Sequence, residues 1–356
     1  MRIAAVDAVP YALPFREPYV TARGRLERRE LVLVRLRTDE GPEGLGEAAA
    51  MALRGGAGAD ALAREIEEAA PVLVGADLAG APGDPLDVSA MSQPARAAVE
   101  VARLDLAAKL AGMPLWRLLG SESVRPVTCN ATLVAGPPAA VAADAERWAE
   151  RGFATFKLKV GVPGDVGQVE AVRAAVGADA RIRVDANGVW TLEEAVLRLT
   201  AMERHGIELA EQPAADLQDL AMVRGQTAVP IAADESVASR DDARRALELG
   251  ACQLATVKVG KVGGIGPARV IARELPVYLS SALDGPVGIA AAAHLAQVLR
   301  LPRPWDGLAH GLATQLLFAE TIALAECQVR DGLLHLSPGP GLGVEIDEAA
   351  LERCRI

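Results

Sequence analysis

Two rhythms of apolar and polar residues divide this chain. From Glu30 to Thr38 (Glu-Leu-Val-Leu-Val-Arg-Leu-Arg-Thr) the side chains alternate with period two, the spacing of a strand. Residues 2–9 read as a strand before it. Gly44 to Ala48 reads as a third after the turn Asp39-Glu40-Gly41, which predicts an antiparallel meander. Helices are predicted over 60–74 and 94–110; the second carries Pro94 near its start and Gly112 beyond its end. From Val127 the rhythm becomes short apolar run, then helical stretch. Strands are predicted at 127–132, 155–160, 181–185, 207–211, 230–234, 254–258, 276–280 and near 306–310, where Pro302, Pro304 and Gly307 crowd the last. Helical stretches such as 138–151, 192–205 and 240–249 fall between them. The pattern predicts an α/β protein: an α+β capping domain over 1–125 and a modified (β/α)8 TIM barrel over 126–330. The Gly/Pro-rich tail over 331–356 is expected to return to the first domain.

Composition narrows the class without changing the fold. At 356 residues the chain exceeds one comfortable core, and 51% apolar with 24% charged residues suits a folded globular protein. Aromatics are only 3%, so packing must rest on Ala, Leu and Val. A formal charge of −10 with no Lys/Arg cluster disfavours nucleic acid or an anionic membrane as partner and leaves a homo-oligomer open. Cys129, Cys252, Cys327 and Cys354 lie far apart without CxxC spacing, and read as reduced thiols rather than a zinc site or disulfides. The N-terminus lacks the long apolar stretch of a signal peptide, so a cytoplasmic protein is expected.

The chemistry gathers at the ends of the apolar runs. Asp185 ends Ile-Arg-Val-Asp, Glu211 ends Ile-Glu-Leu-Ala-Glu, and Asp234 ends Pro-Ile-Ala-Ala-Asp. Lys157 and Lys159 precede them and Lys258 follows. The gaps of 26 (185 to 211), 23 (211 to 234) and 24 residues (234 to 258) each fit one strand, one helix and two loops. Any one of these acids is as well suited to capping the helix after its strand. Jointly they form an oxygen-only set for a hard divalent ion, Mg²⁺ or Mn²⁺. Lys157 and Lys159 lie two apart and so face the same way; turned inward, like charge and desolvation are expected to lower a lysine pKa toward that of a general base. Lys258 follows the same argument from the opposite side, and Lys261 is placed in the loop beyond. A metal ion with two lysines points to a small carboxylate as substrate and to removal of its α-proton. Asn187, Gln212 and Glu235 are placed behind the ligands, orienting them or Lys258.

These residues resemble the enolase superfamily, and within it the muconate-lactonizing subgroup with its Lys-x-Lys motif. The similarity spans the capping domain, the helix Ala-Arg-Ala-Ala-Val-Glu-Val-Ala-Arg-Leu-Asp-Leu-Ala (95–107) and the barrel. It implies Asp185, Glu211 and Asp234 as metal ligands, Lys159 and Lys258 as the acid/base pair, and Lys157 as an electrostatic neighbour. The segment Asn130-Ala131-Thr132, the segment Ser280-Ser281-Ala282-Leu283-Asp284, and Gly311-Leu312-Ala313-Thr314 are similar to those of o-succinylbenzoate synthases. That implies a Mg²⁺-dependent syn dehydration in menaquinone biosynthesis, with Asn130, Ser281 and Asp284 near substrate. The subgroup also implies three alternatives: dipeptide epimerase, N-acylamino acid racemase and lactonizing cycloisomerase. Asp306 stands alone where dipeptide epimerases carry Asp-x-Asp. The capping segments around Arg23 and Arg54 look closer to the epimerase and cycloisomerase branches, and either arginine suits a distal carboxylate.

Overall fold

The structure, a computed structural model, describes residues 2–39, 41–51, 55–76, 88 and 90–356. The first strand, β1 (Ile3–Thr21), is far longer than residues 2–9, and pairs with β2 (Gly24–Thr38), which pairs with β3 (Gly44–Ala49), all antiparallel. Both faces of β2 are buried. Leu31 and Leu33 join the large core shared with the barrel, whereas Val32, Val34 and Leu36 pack under the helices that follow. The helix predicted over 60–74 is broken at Ala69 into α1 (Ala59–Glu68) and α2 (Ala70–Leu73). Pro71 has no N–H to continue the ladder.

The long helix α3 (Gln93–Leu110) lies against β3 so closely that only glycine fits between them. A Cβ at Gly46 would stand 1.9 Å from the carbonyl oxygen of Ala98. Gly46→Ala is therefore expected to cost at least ~2 kcal/mol; an unchanged urea midpoint would show that the helix has room to move. Asp105 on α3, fully buried, accepts from Leu45 N at 2.8 Å and from Leu342 N at 2.7 Å. It thereby ties the C-terminal tail to the first sheet. The tail also reaches β1, where Ile356 N donates to Pro10 O at 3.3 Å.

After the short α4 (Leu115–Leu118), the first predicted barrel strand divides in two. β4 (Val127–Thr128) pairs outside the barrel, and β5 (Ala131–Leu133) enters it. Alternation then follows as predicted: α5 (Pro138–Glu150), β6 (Thr155–Lys159), α6 (Asp165–Val176), β7 (Arg181–Asp185), α7 (Leu192–Glu203), β8 (Ile207–Glu211), α8 (Leu217–Arg224), β9 (Ile231–Ala233), α9 (Arg240–Leu249) and β10 (Leu254–Val257). Two helices, α10 (Val259–Val262) and α11 (Ile265–Glu274), lead to β11 (Val277–Leu279) and α12 (Pro286–Ala296). The strands β5 to β11 form one parallel sheet in sequence order. The predicted eighth strand is reduced to two single-residue bridges, Cys129 to His310 and Ser280 to Gly311, which close the sheet on itself. Residues 302–308 turn instead, with Trp305 N donating to Pro302 O and Leu308 N to Trp305 O. Beyond them come β12 (Ala323–Ala325), β13 (Gln328–Arg330), β14 (Leu333–His335), β15 (Glu345–Ile346) and α13 (Glu348–Cys354), with β14 pairing β4. All four cysteines are free and buried, and among the described residues no helix is long and apolar enough to cross a membrane.

Two histidines are locked neutral in this frame. His294 Nδ1 accepts from Trp116 N at 2.9 Å, which leaves Nε2–H to donate to Leu342 O at 3.2 Å. His310 Nδ1 accepts from Leu279 N at 2.9 Å. Burial pushes both down to about 4 from 6.5. Their contribution to stability is thus complete above pH 6.5 and lost as pH falls through about 4. Urea unfolding should show stability declining across that window, with a shallower decline in His294→Asn; an equal slope in the variant would remove His294 from the account.

Candidate active site

Period-two geometry in β6 turns Lys157 and Lys159 to the same side, and both are buried inside the barrel. Strand register does the rest: Lys159 pairs laterally with Asp185, and Asp185 with Glu211, while Asp234 follows the end of β9. All three carboxylates are fully buried. Lys159 Nζ lies 2.6 Å from Asp185 Oδ2, and Lys157 Nζ lies 2.9 Å from the same oxygen and 2.6 Å from Glu211 Oε1. Lys258, at the start of α10, donates to Asp234 Oδ2. Lys261, placed by sequence in the loop beyond, instead folds back from α10 to Asp234 Oδ1 at 2.9 Å and Thr256 O at 3.0 Å. Ions so deeply buried are tolerable only as a mutually paired set.

The electrostatics correct one expectation. Burial by itself would depress the two lysines of β6, but the acidic groups around them, Asp185 foremost, together outweigh it and hold both Lys157 and Lys159 above the ordinary lysine range. Burial also works against charge on Asp185, yet Lys157 and Lys159 keep its carboxyl well below the usual range. Burial, then repulsion from Asp185, raises Glu211. Lys261 is lowered, chiefly by burial. Charge on Lys157 and Lys159 is favoured by Asp185 Oδ2, which lies 2.9 and 2.6 Å from their Nζ atoms. Among the described residues no three His, Cys, Asp or Glu side chains are gathered as a group that could hold a metal ion, and ammonium groups contact oxygens of all three carboxylates. The donor set itself, three buried carboxylates with neither imidazole nor thiolate, fits a hard divalent ion.

The supporting residues divide into two groups. Asn187, at φ +50°, accepts from Lys159 Nζ at 3.2 Å through Oδ1 and donates to Glu235 Oε1 at 3.2 Å. Gln212 accepts from Asp234 N at 2.8 Å and donates to Ser236 Oγ at 2.5 Å, fixing the backbone that carries Asp234. Around β11, Ser281 Oγ lies 2.5 Å from Thr314 Oγ1, and Asp284 accepts from Ala282 N at 3.1 Å. Asn130 donates to Ala131 O at 3.1 Å, and its Oδ1 is buried without a hydrogen-bond partner among the described residues. Glu47 of β3 accepts from Gly285 N at 2.6 Å and from Tyr11 Oη at 2.9 Å, tying the first sheet to the start of α12; burial pushes its carboxyl up to about 7.

A cavity of about 90 Å³ lies between the first sheet and the barrel mouth. Lys159 and Lys258 line it from strands separated by three others, with Asn187 and Ser281 beside them. Tyr19, Leu26 and Met51 form its apolar wall, and Arg23 and Arg29 complete it. Four lining side chains are cationic, and among the described residues none is a carboxylate. Arg23 also donates to Asn187 O at 2.9 and 2.6 Å, so it clasps the capping turn onto the barrel. Asn130, Gln212, Glu235 and Asp284 stand outside this lining. Arg54 lies outside the described residues. Asp306 is half exposed, 3.6 Å from Arg303. Sequence reasoning passed over Arg29, Arg183 and Tyr278. Arg183 had a readable signal, standing two residues before Asp185 as Lys157 stands before Lys159.

Comparison with known proteins follows the same outline. A family model described as "Enolase C-terminal domain-like" matches residues 140–350, and one for the mandelate racemase/muconate lactonizing enzyme N-terminal domain matches 3–120. An L-Ala-D/L-Glu epimerase of Bacillus subtilis is 34% identical over 83% of this chain and 85% of its own length. An o-succinylbenzoate synthase of Geobacillus stearothermophilus is 30% identical over 96% and 92%. Among solved structures, a muconate lactonizing enzyme of Pseudomonas fluorescens complexed with muconolactone superposes with TM-score 0.93 at 29% identity, covering 100% of this chain and 99% of its own. A dipeptide epimerase of Enterococcus faecalis complexed with Mg and L-Leu-L-Tyr gives 0.89 at 29%, covering 97% and 100%.

Proposed function

The chain belongs to the enolase superfamily, and from that premise we propose that it removes the α-proton of a dicarboxylate and, as o-succinylbenzoate synthase, eliminates water from the resulting enediolate. The observation that carries this reading is the cavity lining: Arg23, Arg29, Lys159 and Lys258 with no carboxylate among the described residues. Such a lining suits anionic groups and sets no carboxylate against a free ammonium, which disfavours a dipeptide. A place in menaquinone biosynthesis goes with this substrate.

Asp185, Glu211 and Asp234 are the residues that would hold Mg²⁺ or Mn²⁺, in keeping with the Mg found in the similar dipeptide epimerase. The ion would supply concentrated positive charge for the substrate carboxylate. Once the hold of Asp185 is relaxed and the Lys159 ammonium has given a proton to solvent, the free amine removes the α-proton, with Asn187 Oδ1 keeping Nζ oriented. The C–H electron pair passes into the enediolate, whose collapse expels the β-hydroxyl. Lys159 returns its proton to that oxygen, so one water leaves and the lysine is regenerated. Lys258 keeps its positive charge on the other side of the cavity.

Lys258 also gives a second reading its support. A proton delivered from that side, instead of loss of hydroxide, makes the same machinery an N-succinylamino acid racemase. ¹H NMR in D₂O with Mg²⁺ separates the outcomes across the succinylbenzoate precursor, N-succinylamino acids, dipeptides and muconate. Dehydration of the first supports the proposal; turnover of dipeptides alone contradicts it. Arg29→Met should raise KM for a dicarboxylate about tenfold while kcat changes little, the effect of losing one charge-assisted contact. An unchanged KM would take Arg29 out of substrate binding.

A further inference from the structure

We infer that Tyr278, carried by Arg183, is the positioning residue that holds Glu211 in the orientation a divalent ion needs. The inference rests on the reading of Glu211 as a metal ligand and goes beyond it. Tyr278 points into the barrel from β11 and is fully buried. Its hydroxyl donates to Glu211 Oε2, while Lys157 donates to Oε1 at 2.6 Å. The two donors differ in kind. The lysine's hold is a charge attraction, which a divalent cation at the same carboxylate opposes by like-charge repulsion. A phenol is neutral and orients the oxygen without offsetting its charge, so its hydrogen bond persists beside a cation. Glu211 also has the longest side chain of the three acids and the most rotamers to restrict.

What holds Tyr278 is equally specific. The Arg183 guanidinium lies 5.1 Å from the centre of its ring. Arg183 is itself fully buried and anchored by Nε to Glu208 Oε2 at 2.5 Å and by Nη1 to Ala309 O at 2.7 Å. On the barrel's inner floor the ring packs with Leu209, Ala232, Leu254 and Leu308, a small apolar cluster separate from the main core. Tyr278 thus joins an apolar plug to the carboxylate row.

Mn²⁺ binding to the full-length protein, followed by electron paramagnetic resonance without substrate, tests this. Tyr278→Phe should weaken Mn²⁺ about tenfold, the usual size of such an effect. Arg183→Lys, which removes the guanidinium from over the ring, should weaken it in the same direction by less. Leu254→Ala, in the plug alone, should lower the urea midpoint and leave Mn²⁺ affinity unchanged. Equal affinity in Tyr278→Phe and wild type overturns the inference, as does a loss in Leu254→Ala matching that in Tyr278→Phe. Glu211→Gln separates the two layers: if it too binds Mn²⁺ like wild type, the ligand assignment fails, and if it alone loses binding, only the role of Tyr278 fails.

Discussion

Lys159→Ala is expected to lower turnover by about 10³ to 10⁴-fold while leaving the protein folded, the scale of losing a positioned general base. Lys159 is the lysine of β6 that lines the cavity, whereas Lys157 lies beneath, bound to both Asp185 and Glu211. Of these two, Lys159 is the one placed to meet a substrate proton without leaving the barrel interior. Lys157→Ala should behave differently, because it strips a buried partner from two carboxylates at once. It is expected to lower stability as well as rate. Steady-state rates paired with urea midpoints for the two variants check this contrast. Near-wild-type turnover in Lys159→Ala would move the base elsewhere.

Chelation should be as severe. EDTA is expected to abolish turnover, and added Mg²⁺ to restore it, because the carboxylates otherwise hold the lysines charged. Both Lys157 and Lys159 are raised above their ordinary range despite burial, with Asp185 the chief opposing influence. An enzyme in that state presents an ammonium where a free amine is needed. The sign is definite: stronger carboxylate contact to Lys159 pushes the pH at which it can act upward. Turnover of the chelated enzyme should therefore be negligible at neutral pH, and Mn²⁺ should substitute for Mg²⁺ because both accept an oxygen-only site. Full activity after exhaustive chelation would contradict the assignment of all three acids.

How much of this was legible in the sequence depended on the range of the interaction. Strand period placed Lys157 and Lys159 on one face, and the even spacing of Asp185, Glu211 and Asp234 put them at successive strand ends, because both follow from local geometry. The pKa direction was misjudged for the opposite reason. Like-charge and opposite-charge distances are set by register between strands, and at Lys159 the nearest group is Asp185 at 2.6 Å. Lys261 was misplaced because a one-turn helix, α10, folds it back to Asp234. The eighth strand was overextended because prolines hide how little pairing closure requires; bridges at His310 and Gly311 suffice. The cavity's charge was legible only in part: Arg23 stood out in its capping turn, whereas Arg29, inside β2, meets the barrel only in three dimensions.

The central claim is proton abstraction from carbon by Lys159, and solvent isotope exchange tests it most directly. The Mg²⁺-loaded enzyme is mixed in D₂O with the succinylbenzoate precursor and with an N-succinylamino acid, and the α-proton resonance is followed by ¹H NMR. The account predicts that the resonance decays in wild type on at least one of the two, by exchange or by product formation, and persists in Lys159→Ala and after EDTA. Decay at the wild-type rate in Lys159→Ala, or in the chelated enzyme, would contradict it.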